Sequence, residues 1–178
     1  MEITESPLKN CFILIPRIIE DDRGRFVKPW HIDELKKIDL YFDIREEYYS
    51  VSKRDVIRGM HFQTPPRATK KLVTCLSGTV LDVVIDLRRE SPTFKKHFAI
   101  ELSSVTGNML YIPEGFAHGF CVLSDEAIML YMASEMYSAP NDTGIHWNSA
   151  GIYWPASKPV VSEKDNNLVY LEKYESPF

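Results

Sequence analysis

Four stretches of this chain concentrate side chains that can move protons or hold anions. The first is Arg58-Gly59-Met60-His61-Phe62-Gln63, and the second is Lys70-Lys71-Leu72-Val73. The third, Pro113 to Phe120, places His118 shortly after a turn. The fourth, Ser162-Glu163-Lys164-Asp165, ends on a carboxylate, and the phenols Tyr131 and Tyr137 belong beside it. Lys71 runs into Leu72 and Val73, so its amine is rooted in apolar surroundings and could meet a buried anion there. Arg58 and His61 are three positions apart, which on a regular strand points them to opposite faces. Gly59 between them permits a bulge that would turn both toward one cavity. Taken singly, each of these side chains has an ordinary structural explanation. They gain chemical meaning only if the fold brings them together.

The elements that must position them read mostly with the period of strands. Candidate strands are Phe12–Ile15, Phe26–Trp30, Glu47–Ser52, Val56–Phe62, Lys71–Leu76, Thr79–Leu87, Phe98–Leu102, Met109–Ile112, Phe120–Leu123 and Ile128–Ser134. All are rich in β-branched, aliphatic and aromatic residues. Turn signals separate them, among them Asp22-Arg23-Gly24, Ser77-Gly78, Thr106-Gly107-Asn108 and Pro113-Glu114-Gly115. One short helix is expected at Asp33–Ile38, with Asp33 as its N-cap. Beyond about Pro155 the composition turns to Pro, Ser and charge, which predicts an irregular tail that still docks. Many short strands with regular turns predict an all-β sandwich or barrel, folded as a single domain over 1–178.

Composition narrows the function classes. The chain has 178 residues, 44% of them apolar and 12% aromatic, which suits one domain with a real core and argues against disorder. The 21 Lys+Arg against 25 Asp+Glu leave a charge of −4, so a general nucleic-acid partner is not expected. A small anion held by a few placed cations remains compatible with that charge. Cys11, Cys75 and Cys121 form neither a disulfide framework nor a CxxC zinc site. The N-terminus has no apolar h-region, and no run approaches the ~18 apolar residues of a membrane span. The expectation is a soluble protein of a reducing, cytoplasmic compartment with no membrane partner.

Gly107, Pro113, Gly115 and His118 match the second half of the cupin signature, which is similar to G-x5-P-x-G-x2-H. Metal-binding cupins supply an H-x-H pair and a carboxylate in the first half. Here that place reads His61-Phe62-Gln63, with one imidazole, whereas a stable transition-metal site needs about three protein ligands. The barrel is therefore read as metal-free. The ordered pieces RGMHFQ, KKLV, LSGTVLDVVIDLRRESPTF, IPEGFAHGF, LYMASEMYS, GIHWNS and VSEKD resemble the dTDP-4-dehydrorhamnose 3,5-epimerase family. They run from about Pro16 to Asp165. The resemblance implies a cupin-type double-stranded β-helix, or jelly roll, with short peripheral helices. It also implies a homodimer exchanging N-terminal strand contacts, acting without a cofactor on nucleotide-linked 4-keto-6-deoxy sugars.

Carried over by position, the resemblance makes His61 the catalytic base and Asp165 the carboxylate that orients it. Tyr131 becomes the general acid on the opposite face of the sugar, and Lys71 the cation near the C4 oxygen. Tyr137 stacks on the nucleobase, Arg23, Arg58 and His118 contact diphosphate and sugar, and Asp142 stands where the family has Glu or Asp. Phe26 lies in the DxRGxF stretch at the nucleotide end. These residue types suit the chemistry. A hydrogen next to a ketone becomes acidic when a cation stabilises the enolate, imidazole accepts protons near neutrality, and a phenol is still protonated there. Three positions depart from the family pattern. Lys28 stands where Glu is common, and Glu46 and Tyr48 replace a Q-x-N pair, so Lys28 and Glu46 could pair with each other or read a different base. Two other readings stay open at this point: a cupin 3,4-ketoisomerase on a related nucleotide sugar, and a non-catalytic sugar-nucleotide-binding cupin.

Overall fold

A computed structural model describes residues 1–178. Its strands are β1 (Glu2–Glu5), β2 (Phe12–Ile15), β3 (Ile18–Asp21), β4 (Gly24–Val27), β5 (Glu46–Lys53), β6 (Ile57–Gln63) and β7 (Lys71–Ser77). They continue with β8 (Thr79–Asp86), β9 (His97–Ser103), β10 (Met109–Ile112), β11 (Phe116–Val122), β12 (Glu126–Ala133) and β13 (Asp142–Gly144). A six-stranded sheet has the order β1-β2-β10-β7-β12-β5, and a five-stranded sheet the order β13-β6-β11-β8-β9. Strands β3 and β4 form a separate hairpin. All strand pairs are antiparallel, and the two large sheets pack face to face as the jelly roll expected from the sequence.

Side-chain parity explains why three apolar clusters form. Val73 and Cys75 of β7, with Ala127, Met129 and Tyr131 of β12, face Val80 and Val84 of β8 and Phe116, Phe120 and Val122 of β11. The opposite face of the five-stranded sheet presents Met60, Phe62, Val83, Ile85, Ala117 and Cys121 to the C-terminal segment, which covers them with Ile152, Trp154 and Leu171. The outer face of the six-stranded sheet is covered at Leu72, Met109, Tyr111 and Met132 by Leu35, Leu40 and Phe42. Strands buried on both faces need apolar residues at nearly every position, hence the long apolar runs in β8 and β11.

The bulge expected at Gly59 is present. His118 pairs with His61 while Phe120 pairs with Arg58, so three steps on β6 oppose two on β11. Parity slips by one, and Ile57 and Met60 both reach the outer cluster. Arg58 and His61 consequently share the inner side. Gly59 holds φ +134°, and a Cβ there would lie 2.5 Å from the Cα of Gly119. Two glycines at this crossing let the strands approach where a side chain has no room.

Several local expectations shift. The strand expected at Phe26–Trp30 is Gly24–Val27, one arm of the hairpin with β3. β11 begins at Phe116: Gly115, at φ +81°, belongs to the turn, whereas Gly119 lies inside the strand, where a Cβ would sit 2.6 Å from the Arg58 carbonyl oxygen. β1 and β13 have little apolar signal of their own and form through pairing with β2 and β6. The helix is α1 (Ile32–Lys36), capped from His31 without a side-chain bond, so Asp33 sits in its first turn instead of at the cap. The tail docks as expected, through α2 (Glu163–Asn166) and a 3-10 turn at Leu171–Lys173.

Candidate active site

The inner face of the barrel is apolar at one end and polar at the other. The residues that are even-numbered on β8 and β11 and odd-numbered on β7 and β12 continue past the core as Asp82, His118, Lys71 and Tyr131. His118, Lys71 and Tyr131 meet Arg58 and His61 of β6 in a cavity of about 410 Å³, lined also by Glu46, Tyr48 and Ser50 of β5, with Asp82 buried behind His118. That volume suits a small organic ligand. Tyr137, Asp142 and Lys164 line its rim.

His61 is held from behind. Its Nε2 lies 2.6 Å from Asp165 Oδ1, and Asp165 Oδ2 accepts the Gly59 amide at 3.2 Å. Asp165 is 3% exposed. The Ser162 hydroxyl accepts the Asp165 N–H and starts α2, while the Ile57 amide bonded to Val160 ties this segment to the root of β6. Burial alone would raise the Asp165 pKa. The His61 hydrogen bond and charge, with the Gly59 and Ser162 contacts, outweigh it and hold the carboxyl below its usual range. No protein group bonds Nδ1 of His61, the ring nitrogen left for a ligand.

A second His–Asp pair lies deeper. His118 Nε2 is 2.8 Å from Asp82 Oδ2, with both residues buried. Burial raises the Asp82 pKa against the opposing pull of His118 and Lys71, and its Oδ1 has no hydrogen-bond partner. Lys71 makes no hydrogen bond or ion pair of its own. Burial lowers its pKa, offset partly by the charges of Asp142 and Asp82. Tyr131 stands on the other sheet from His61. Its hydroxyl is 3.3 Å from the Ser50 hydroxyl, its ring meets His118 edge-on at 6.1 Å, and burial pushes its pKa well above 10.

The rim is stapled by side chains. Glu46 accepts the Tyr137 amide at 2.7 Å, and Asp142 takes the Lys164 ammonium at 2.5 Å and the Tyr137 hydroxyl at 3.4 Å. Gln63 binds Arg67, Thr69 and Met136 through its amide nitrogen and Ser138 through its oxygen, so one buried side chain joins both rim loops.

Of the residues singled out in the sequence, His61, Lys71, Tyr131, Glu46, Tyr48, Arg58, His118, Tyr137 and Asp142 line one cavity, with Asp165 behind His61. Arg23, Phe26 and Lys28 are not brought there within one chain. Arg23 is exposed and forks onto Asp21, Phe26 is 59% exposed, and the Lys28–Glu46 pair does not form. The sequence does not single out Asp82 or Ser50, and it offers Lys164 only as part of the Ser162–Asp165 stretch. The signal for Asp82 was a charged residue at a core-facing position of an otherwise apolar strand. No three His, Cys, Asp or Glu side chains form a metal-binding group, and no helix is long and apolar enough to cross a membrane.

Known proteins resemble this chain over nearly its whole length. The family model described as dTDP-4-dehydrorhamnose 3,5-epimerase matches residues 5–173. The dTDP-4-dehydrorhamnose 3,5-epimerase of Shigella flexneri is 38% identical over 94% of each chain. The Bacillus anthracis enzyme of that name, solved with TDP and PPi bound, superposes with a TM-score of 0.92 at 37% identity, over 96% of this chain and 99% of that one. A Legionella pneumophila epimerase in complex with dTDP-4-keto-L-rhamnose gives 0.93 at 30% identity, over 98% and 94%. A jelly roll with this cavity, matched end to end at such identity, makes the chain a member of the dTDP-4-dehydrorhamnose 3,5-epimerase family.

Proposed function

We propose that this protein inverts C3, C5 or both in a thymidine-diphosphate 4-keto-6-deoxy sugar. One observation carries the mechanism: a carboxylate-backed imidazole on one sheet faces a phenol on the other, across a cavity that also holds a lysine. His61 Nδ1 takes the hydrogen α to the C4 ketone. The C–H electron pair moves into the enolate, whose oxygen the Lys71 ammonium stabilises. Tyr131 then gives its O–H proton to the opposite face of the same carbon. No atoms are gained or lost. His61 ends protonated and Tyr131 ionised, and solvent resets both. Burial makes the Tyr131 phenolate a strong base, so it is reset readily and stays protonated between turnovers. Asp165 fixes the tautomer of His61 and balances its positive charge. Arg58 and His118 hold the sugar and diphosphate, and Tyr137, bonded to Glu46 and Asp142, receives the nucleobase.

The nucleotide end is completed by a second copy. The β3–β4 hairpin carries Arg23 and Phe26, with Lys28 just after it. It leaves Ile19 and Phe26 exposed, and Arg25 bonds only the Val105 carbonyl outside the hairpin. Strand β5 is an open sheet edge, with Tyr49 and Val51 exposed beside it. Open edges and exposed apolar residues are ordinarily covered. A homodimer that lends the hairpin to its partner accounts for both.

The test is product analysis by NMR with dTDP-4-keto-6-deoxyglucose. A 4-ketone retained with C3, C5 or both inverted is expected. A carbonyl moved to C3 would indicate a ketoisomerase, and binding without turnover a non-catalytic cupin. Site sharing has its own result. Arg23→Ala and His61→Ala proteins are each impaired, and co-refolding them should restore part of the activity, because one mixed site holds both native residues. No restoration would place Arg23 outside the shared site.

A further inference from the structure

Strand β5 reverses the usual pattern of a sandwich strand. Its inward positions are Glu46, Tyr48, Ser50 and Ser52, all polar, while Tyr49 and Val51 face outward. Glu46 bonds the Tyr137 amide, Ser50 lies at the Tyr131 hydroxyl, and Ser52 accepts from Arg58 Nε at 2.9 Å. Each inward side chain therefore supports a group of the cavity. Tyr48 is the direct cross-strand partner of Tyr131, and their rings stack with centroids 4.7 Å apart and planes 12° from parallel. On its other side Tyr131 pairs with Val73, which offers no flat surface. The Ser50 hydroxyl at 3.3 Å and the edge of the His118 ring also meet Tyr131.

We infer that Tyr48 is a positioning residue for proton return: its ring is the wall that keeps the Tyr131 hydroxyl aimed at the face opposite His61. Stacked aromatic pairs prefer offset, near-parallel geometry, and two such rings on neighbouring strands restrict each other's side-chain torsions. A proton donor displaced by about 1 Å loses much of its effect, whereas abstraction by His61 does not depend on it. Tyr48 thus governs inversion separately from C–H cleavage. The inference rests on Tyr131 being the acid, so that assignment is tested in parallel.

In D₂O, an enzyme that abstracts but cannot deliver to the far face returns deuterium to the original face, giving label without inversion. At saturating substrate, Tyr48→Ala should raise the ratio of wash-in to inversion by roughly 10–100-fold. Tyr48→Leu, which keeps bulk without a flat ring, should do the same, and Tyr48→Phe should restore the wild-type ratio. Melting curves identify any variant that fails to fold. Wash-in and inversion falling together in folded variants, or an unchanged ratio, would overturn the inference. Tyr131→Phe separates the two levels. If it raises the wash-in to inversion ratio and Tyr48→Ala does not, Tyr48 has no such role. If Tyr131→Phe leaves the ratio unchanged, the acid itself is misassigned.

Discussion

With His61 replaced by asparagine, both solvent exchange and product formation fall by about 10²–10⁴-fold, the usual contribution of a positioned base. Asparagine is the informative variant because its amide can still donate to Asp165. His61→Ala loses the same activity but also strands a carboxylate that is 3% exposed. Unpairing a buried polar group costs roughly 1–3 kcal/mol, so the alanine protein should melt lower than the asparagine one. The pH dependence follows with a definite sign. The pKa of Asp165 is depressed in the folded protein, mainly by its hydrogen bond to His61 acting against burial. Its ionised form therefore adds stability above the ordinary aspartate pKa of 3.8, and that stability is lost as pH falls through the lower folded value. His61→Ala should flatten this acid limb in urea titrations. Activity within tenfold of wild type would remove His61 as the base.

Lys71→Met should lower kcat/KM by about 10²–10³-fold, or roughly 2.7–4 kcal/mol of enolate stabilisation. Methionine keeps most of the length and bulk of the lysine stem, so stability should change little. The expected effect is large because the ammonium has no protein partner and sits in a cavity from which water is partly excluded. Burial also lowers its pKa below 10.5. The catalytic form is the charged one, so kcat/KM should decline with rising pH at a lower value than an ordinary lysine would give. Tyr131, whose pKa is raised, does not set that limb. Whatever activity Lys71→Arg retains should keep its charge and lose the decline. An unchanged alkaline limb in Lys71→Arg would assign it to another group.

Much of this was readable in the sequence, for identifiable reasons. Short apolar runs bounded by turn residues mark strands β7 and β12, and the glycine between Arg58 and His61 announces the bulge that aims both inward. The identities of His61, Lys71 and Tyr131 suggested proton chemistry, yet nothing local could show that Asp165, 104 positions away, touches His61. That contact depends on the tail running back along β6. Asp82 has no local signature of a site residue, because it lies within the apolar run of β8. Its parity with Val80 and Val84 was the available clue. The polar inward face of β5 was equally legible as even-numbered Glu, Tyr, Ser, Ser. Arg23, Phe26 and Lys28 belong to the site by resemblance alone, and within one chain they lie outside the cavity.

The central claim is two-faced proton transfer at carbons flanking a ketone. Its most direct measurement is the position of solvent deuterium in product formed in D₂O from dTDP-4-keto-6-deoxyglucose. We expect deuterium at each inverted carbon, C3, C5 or both, and none at C2. Inverted product without deuterium at the inverted carbon, or no label in any product, would contradict the account.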